Sequence, residues 1–168
     1  PIISDPVELS QFLRFDITPQ WIVARWPRVS TDLANLDFEG LRVPLVSGTR
    51  IDDLAGSLTY YFDKYQRVQR ITFRGSTGDE RKLVNHMAQK FGLRPEPTLG
   101  RGLYLVKWNG EPKSAMRVQH ASVARGNVPH NQLEIELELN RPGPHYALSD
   151  EFAATLGKDR KLGRWGES

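Results

Sequence analysis

Alternating hydrophobic and polar residues are clearest in the last third of the chain. In residues 132–140, leucine and isoleucine take every second position and glutamates stand between them. A period of two puts successive side chains on opposite faces of a strand, so this segment predicts a strand with one buried and one wet face. Residues 102–108 and 113–120 alternate in the same way around Asn109-Gly110, a pair typical of a tight hairpin. The three segments together predict an antiparallel meander.

The middle of the chain carries a second hairpin signal. Residues 57–62 alternate with threonine and aromatic side chains, and residues 68–74 return after a polar turn. A slip in the alternation of the returning segment indicates a bulge or a late strand start. Residues 41–47 predict a further strand, which Pro44 should confine to an edge or a bulge because proline has no amide hydrogen. Residues 30–40 are polar and predict a loop.

A helical stripe follows the second hairpin. In residues 79–91 the apolar side chains recur at the 3.6-residue spacing of an amphipathic helix. Thr77 and Glu80 have the spacing of a capping box at its start, and Gly92 suits the left-handed position after its last turn. We therefore predict one long amphipathic helix packed on a face of the sheet.

Shorter helices are predicted near both ends of the chain. Residues 4–27 contain two start signals, each a polar capping residue with a proline close behind it. Ser149 can cap a further helix that ends at a glycine, and the basic residues 158–168 then predict a flexible tail. We expect a single α+β domain over residues 1–157, with its sheet and long helix within residues 41–140. Its architecture is an antiparallel sheet of about five or six strands, the amphipathic helix on one face, and short N-terminal helices.

Composition adds the class of protein to this picture. The 168 residues are 39% hydrophobic and 26% charged with a net charge of +3, the balance of a folded soluble domain. Part of the small basic surplus lies in the tail rather than on one predicted face, so nucleic acid is not the expected partner. No apolar run is long enough to span a membrane. The chain starts at Pro1, so an upstream export signal or membrane anchor is compatible with it.

Several kinds of chemistry are not supported by the residues present. The chain has no cysteine, which excludes disulfides, thiolate nucleophiles and cysteine-ligated metals. The four histidines lack ligand spacings such as i,i+4, and no serine lies in a nucleophile-elbow motif. We therefore expect no metal site, no catalytic residue and no cofactor.

Two turns carry the residues best suited to hold a ligand. The first places paired carboxylates beside an arginine, and the second leads from a strand into a helix, where free amides can hold an anion. Both have a structural alternative, because a carboxylate can cap a turn and a glycine-rich turn needs no ligand. The candidate ligand-binding residues are Arg50, Asp52 and Asp53 in the first turn and Arg74, Ser76 and Thr77 in the second.

Glu134, Glu136 and Glu138 form the other concentration of charge. Their alternation along one strand favours a solvated face that pairs with Arg117 and Lys113 of the neighbouring strand. A cation or a basic partner is the alternative ligand for this row of carboxylates.

Five segments of the chain form a recognisable set. They are FDITPQW at residues 15–21, VPLVSGTR at 43–50, DLAGSLTYYF at 53–62, VQRITF at 68–73 and the closing strand at 133–142. Together they resemble an uncharacterised family of planctomycete bacterial proteins over roughly residues 10–142. The resemblance implies a bacterial source and an upstream apolar segment that places the domain outside the cytoplasm. Because the family has no assigned activity, the resemblance implies no functional residue.

Three functions follow as hypotheses. The first, which the sequence favours, is a non-catalytic binding or assembly module of the bacterial cell envelope that acts on another protein through its many aromatic residues. The second is an enzyme of unidentified type that uses the turn at residues 50–53. The third is a small-ligand-binding domain with a pocket between sheet and helix. The expected lining of that pocket is Tyr60, Phe62, Ile71, Phe73 and Met87.

Overall fold

One antiparallel sheet dominates the computed structural model, which describes residues 8–35, 38–97, 102–120, 132–143 and 147–165. The strands are β1 (Ser30–Asn35), β2 (Phe38–Val46), β3 (Ala55–Phe62), β4 (Val68–Thr77), β5 (Arg94–Pro95), β6 (Gly102–Trp108), β7 (Glu111–His120) and β8 (Leu133–Asn140). The helices are α1 (Leu9–Phe12), α2 (Pro19–Arg25), α3 (Arg81–Phe91) and α4 (Asp150–Trp165). Within these residues the sheet has eight strands, in the order β1-β2-β3-β4-β8-β7-β6-β5.

Two runs of consecutive strands build the sheet. β1 to β4 are antiparallel neighbours in chain order, and so are β5 to β8. The two runs join where β4 pairs with β8, with Thr72 opposite Glu138 and Arg74 opposite Glu136. Because α3 and three strands lie between β4 and β8 in the chain, this pairing closes the sheet over a long sequence distance.

The prediction of five or six strands with one long amphipathic helix is wrong. The described residues form eight strands, and the helix expected over residues 79–91 is the 11-residue α3, one of four short helices. Within the loop predicted at residues 30–40, residues 30–35 instead form β1 and residues 38–40 begin β2. β1 is the end strand of the described sheet, and an end strand has one side without a partner strand. β5 has only two residues, too few to give a pattern. The α+β class therefore fits only in part.

The start of α3 also differs from the predicted capping box. Glu80 occupies the N-cap position and makes no side-chain capping bond. Thr77 Oγ1 instead donates to the Asp79 carbonyl oxygen at 3.0 Å, and Asp79 Oδ1 accepts the Arg81 amide at 3.0 Å. The end of the helix is as predicted, because Gly92 adopts the left-handed conformation with a φ of 73°.

Both predicted hairpins are confirmed. β3 and β4 pair with a register shift near the end of β3, which is the predicted bulge. In the turn between β6 and β7, Asn109 and Gly110 have φ values of 52° and 79°, as a type I′ turn requires. Pro44 lies past the end of β1, which starts at Ser30 opposite Arg42. β2 thus has a single partner strand at the proline, as expected for a residue without an amide hydrogen.

The two predicted N-terminal helices are present as α1 and α2. Thr18 caps α2, because its Oγ1 accepts the Trp21 amide at 3.2 Å and Pro19 follows at the first helical position. The start signal predicted at residues 4–6 lies outside the described residues.

The main core lies between one face of the sheet and helices α1 to α3. Its largest fully buried side chains include Phe12, Ile22, Leu58, Ile71, Phe73, Leu83 and Met87. The Tyr60 hydroxyl donates to the Phe12 carbonyl oxygen at 2.6 Å, which fixes α1 to the centre of β3. Burial raises the pKa of Tyr60, so this hydroxyl keeps its proton and remains a donor.

α4 packs on the opposite face of the sheet, over β6 and β7. The residues of this smaller cluster are Leu103, Leu105, Ala115, Phe152 and Leu156. Ser149 caps the helix as predicted, because its Oγ accepts the Phe152 amide at 3.2 Å. The helix continues to Trp165 and so crosses residue 157. The division of the chain into a domain and a tail at that residue stays a prediction.

We expect Tyr60→Phe to lower the free energy of unfolding by about 1–3 kcal/mol, because it leaves the buried Phe12 carbonyl without its donor. Urea denaturation followed by circular dichroism measures the change. Tyr65→Phe is the matched control: Tyr65 is 66% exposed, and its substitution should change stability by less than about 0.5 kcal/mol. Equal effects at the two tyrosines would contradict the anchoring role of Tyr60.

Candidate ligand-binding groove

An open groove of about 680 Å³ lies on the face of the sheet that α4 only partly covers. β1 to β4 and β8 form its floor, and the start of α4 forms one wall. The floor residues are Asp32, Arg42, Ser57, Thr59, Tyr61, Arg70, Thr72, Arg74, Glu136, Leu137 and Glu138. The wall residues are Leu148, Ser149, Asp150, Glu151, Phe152 and Thr155. The volume is in the range of small-molecule sites.

Tyr61 lies on the floor of the groove, and its cross-strand partner in β2 is a glycine. Gly40 faces it across the β2–β3 pairing. A Cβ atom at Gly40 would lie 2.9 Å from Tyr61 Cε1 and 2.6 Å from the Asp32 carbonyl oxygen, which is closer than real Cβ contacts. The missing side chain thus makes room for the phenol ring. Burial and then the nearby charge of Asp32 raise the pKa of Tyr61, so the groove presents a neutral phenol.

A buried carboxylate connects the floor to the wall. Glu138 Oε2 accepts the Ser149 amide at 2.8 Å and Asn140 Nδ2 at 3.1 Å. Arg70 Nε donates to Asn140 Oδ1 at 2.7 Å and lies 3.8 Å from Glu138 Oε2. Because the Glu138 side chain is 3% exposed, these contacts provide the pairing that a buried charge needs. They also hold the first turn of α4 against β8.

Two further arginines pair with carboxylates at this face. Arg74 Nη2 donates to Glu151 Oε1 at 2.6 Å, and this bond connects β4 to α4 at one side of the groove. Arg117 Nη1 lies 3.7 Å from Glu136 Oε2, and the two residues are directly opposite in the β7–β8 pairing. The predicted pairing with Arg117 is therefore confirmed for Glu136, whereas Glu138 is buried and not on a solvated face as predicted. Lys113 contributes its carbonyl oxygen instead, which accepts Asn140 Nδ2 at 2.7 Å.

The end of the groove at β1 is different. Arg42 is exposed and Asp32 is half-buried, and both line the floor. Asp32 lies opposite Gly40 and Arg42 lies opposite Ser30, so the two charges are diagonal neighbours on adjacent strands. Neither makes an ion pair of 4.0 Å or less with another residue that the structure describes. Among the described residues, this end of the groove therefore carries a cation and an anion without an ion-pair partner.

Only Arg74 of the six predicted ligand-binding residues lines the groove. Asp53 is buried in the turn before β3, where Oδ1 accepts Ser47 Oγ at 2.8 Å and Oδ2 accepts the Arg50 amide at 2.9 Å. Lys82 Nζ lies 3.9 Å from Asp53 Oδ1. These contacts match the structural alternative to ligand binding, in which the carboxylate caps a turn.

The second predicted turn lies beside the first. Thr77 Oγ1 donates to the Asp79 carbonyl oxygen, and the Gly78 amide donates to the Ile51 carbonyl oxygen at 2.9 Å. Ser76 Oγ accepts Gln132 Nε2 at 2.5 Å. The structure thus brings the two turns together. Hydrogen bonds within the chain use the side chains of Asp53, Ser76 and Thr77, whereas Asp52 Oδ1 is buried with no hydrogen-bond partner among the described residues. Ligand binding by Arg50, Asp52, Asp53, Ser76 and Thr77 stays a prediction.

The groove residues themselves were visible in the alternation of β3 and β4 but carried no motif. Thr59, Tyr61 and Thr72 occupy the positions between the core residues, where a sequence predicts only a solvated face. The β4–β8 pairing, which no local signal predicts, brings Glu136 and Glu138 beside them. Gly40, like Gly56 and Gly75, was an available sign of a close approach within a strand.

The pocket expected between sheet and helix is not where the groove lies. Its predicted lining residues are 0–3% exposed and belong to the main core. The groove is on the opposite face of the same strands. Across the part of the chain that the structure describes, no three metal-binding side chains cluster and no helix is long and apolar enough to span a bilayer.

The fold and the site that the described residues form define a sheet protein with an open polar groove. Comparison of the sequence with known families then identifies the family. The chain belongs to a family of unknown function, DUF6690, whose profile matches residues 3–165. No curated protein and no solved structure matches the chain. The predicted membership of an uncharacterised family is thus confirmed, and the family assigns no activity to any residue.

We expect the stability contributed by Asp53 to depend on pH. Burial alone would raise the pKa of this carboxyl, but the bonds from Ser47 and Arg50 and the charge of Lys82 bring it below the ordinary value. A carboxyl whose pKa is lower in the folded state stabilises the fold above its unfolded pKa, about 3.9. That stability is lost as the pH falls through the lower folded value.

Asp53→Asn should therefore be less stable than the wild type at about pH 7, with a smaller difference at about pH 3. Urea denaturation at the two pH values measures both differences. Asp16→Asn, which removes a carboxylate whose side chain is 73% exposed, should have little effect at about pH 7. If the free energies of unfolding of Asp53→Asn and the wild type fall by the same amount between the two pH values, the lowered pKa of Asp53 would be contradicted.

Proposed function

We propose that this protein is a non-catalytic binding module and that its groove binds a neutral, hydroxyl-rich ligand of the saccharide class. The observation that supports the proposal is the composition of the floor, where Ser57, Thr59 and Thr72 line the same groove as a half-buried phenol ring, that of Tyr61. Such a floor offers hydroxyl donors and acceptors beside one aromatic surface. A sugar presents matching hydroxyl groups and an apolar ring face.

The charge balance of the groove favours a neutral ligand over an anion. Five carboxylates and three guanidinium groups line it. Arg70 and Arg74 already pair with Glu138 and Glu151. A bound phosphate or carboxylate would compete with these contacts and meet the remaining acidic side chains. A free hydroxyl group can bond to the same carboxylates and arginines without disturbing the balance.

The polar floor also disfavours a wholly apolar ligand. Such a ligand would remove the threonine hydroxyls and the carboxylates from water without replacing their hydrogen bonds, which costs free energy at each group. The apolar residues of the lining are Tyr61, Leu137, Leu148 and Phe152, which are four of its seventeen residues.

The origin and location implied by the resemblance belong to the same proposal. A planctomycete bacterial source and a place in the cell envelope, outside the cytoplasm or anchored to a membrane, fit a module that binds saccharides. An enzyme acting through the turn at residues 50–53 has less support, because Asp53 is held by Ser47 and the Arg50 amide.

Tyr61→Ala should weaken saccharide binding by at least about tenfold, because stacking on an aromatic ring and a phenol bond together exceed about 1.4 kcal/mol. The measurement is NMR titration with chitotriose, cellotriose and maltotriose. At least one should shift amide signals of β3 and β4 around Thr59 and Thr72. Tyr65→Ala, which changes an exposed tyrosine outside the groove, should bind as the wild type does.

Two results would contradict the proposal. The first is the absence of any shift with all three saccharides at millimolar concentration. The second is binding that Tyr61→Ala leaves unchanged, which would place the saccharide elsewhere on the surface.

A further inference from the structure

The two edge strands of the sheet differ in their capacity to pair with a further strand. At one edge, β5 is limited to Arg94 and Pro95, and Pro97 follows. Short strands and prolines are devices that prevent further strand pairing. At the other edge, β1 has six residues without proline or lysine, and β1 is the end strand of the sheet that the described residues form. The outward backbone groups of an end strand can pair with another chain.

From this difference we infer that two copies of the chain pair through β1 and that each copy adds Asp32 to the end of the other's groove. The sheet then runs through both copies, with the two grooves on the same side. This inference concerns the assembly of the protein and is independent of the ligand that the groove binds.

Symmetry restricts how two β1 strands can pair. A two-fold axis perpendicular to the sheet makes the strands antiparallel and puts one residue opposite its own copy. Pairing centred on Asp32 would set two like charges directly opposite each other, which is destabilising. Pairing centred on Thr31 avoids this, because Ser30 then lies opposite Asp32 of the second copy.

This register supplies partners for Arg42 and Asp32, which form no ion pair with the residues that the structure describes. Arg42 lies opposite Ser30 on the other side of β1. Arg42, Ser30 and Asp32 of the second copy therefore form one cross-strand row on the groove face. Two strand spacings, about 9–10 Å, separate the backbones of the charged residues, within the combined reach of an arginine and an aspartate side chain. Symmetry makes the contact twice.

The size of the contact sets the expected strength. The paired segments extend from residue 29 to residue 33, because the register of β1 with β2 shifts after Leu33. An edge of this length buries less than about 1,200 Å², the range of weak and transient complexes. We therefore expect a reversible dimer that forms at high micromolar concentration.

Sedimentation velocity over a concentration series, with the intact chain, tests the inference. The wild type should change from monomer to dimer. Asp32→Arg and Arg42→Asp should each weaken the dimer by about tenfold, since each opposes like charges at two symmetric contacts. The combined variant, Asp32→Arg with Arg42→Asp, restores opposite charges and should dimerise within about threefold of the wild type.

Arg94→Asp is the matched control, because it makes the same change on the blocked edge and should leave the dimer unaffected. Ser30→Pro and Thr31→Pro test the backbone contact: successive amides of an edge strand point alternately inward and outward, so one of the two removes an outward donor. That variant should remain folded by circular dichroism and be monomeric.

A wild type that stays monomeric at millimolar concentration would overturn the inference. A dimer that survives every substitution in β1 would overturn it too, because another surface would then form the contact. If the folded charge-exchanged variant fails to recover the dimer, the pairing of Arg42 with Asp32 is wrong.

Discussion

The pairing of β4 with β8 is the constraint on which the rest of the structure depends. It joins two runs of strands that each form from neighbours in the chain, and it brings residues 70–77 against residues 133–140. Local turns such as Asn109-Gly110 can form each run without the other. The β4–β8 register, however, decides which side chains of the two runs meet. A shift by one residue would move every glutamate of β8 into the core.

The same register creates two unlike faces. On one face Phe73 lies opposite Leu137 and Ile71 opposite Leu139, and helices α1 to α3 cover them. On the other face Thr72 and Arg74 lie opposite Glu138 and Glu136. α4 covers the apolar part of this face over β6 and β7. Glu138 fixes the start of the helix against β8 by accepting the Ser149 amide. The polar part over β1 to β4 stays open, which is why a groove exists.

Local signals were enough to predict much of the fold. Alternation and turn chemistry predicted both hairpins and β8, and Gly92 and Ser149 predicted where α3 ends and α4 begins. The misses have a common physical cause, which is that their signals are not local. β1 is a polar edge strand that only its pairing with β2 identifies, and β5 has two residues. The candidate site was missed because pairing between distant strands assembles it from ordinary solvated positions.

Cross-linking across β4 and β8 tests the central pairing most directly. The natural chain has no cysteine, so two introduced thiols can only pair with each other within a monomer. In the observed register, Arg74→Cys with Glu136→Cys should form a disulfide on mild oxidation, because paired side chains bring their Cβ atoms about 4.5–5.5 Å apart. Arg74→Cys with Glu134→Cys, two residues out of register, should not. Cross-linking of the second pair in preference to the first would contradict this account of the sheet and of the groove built on it.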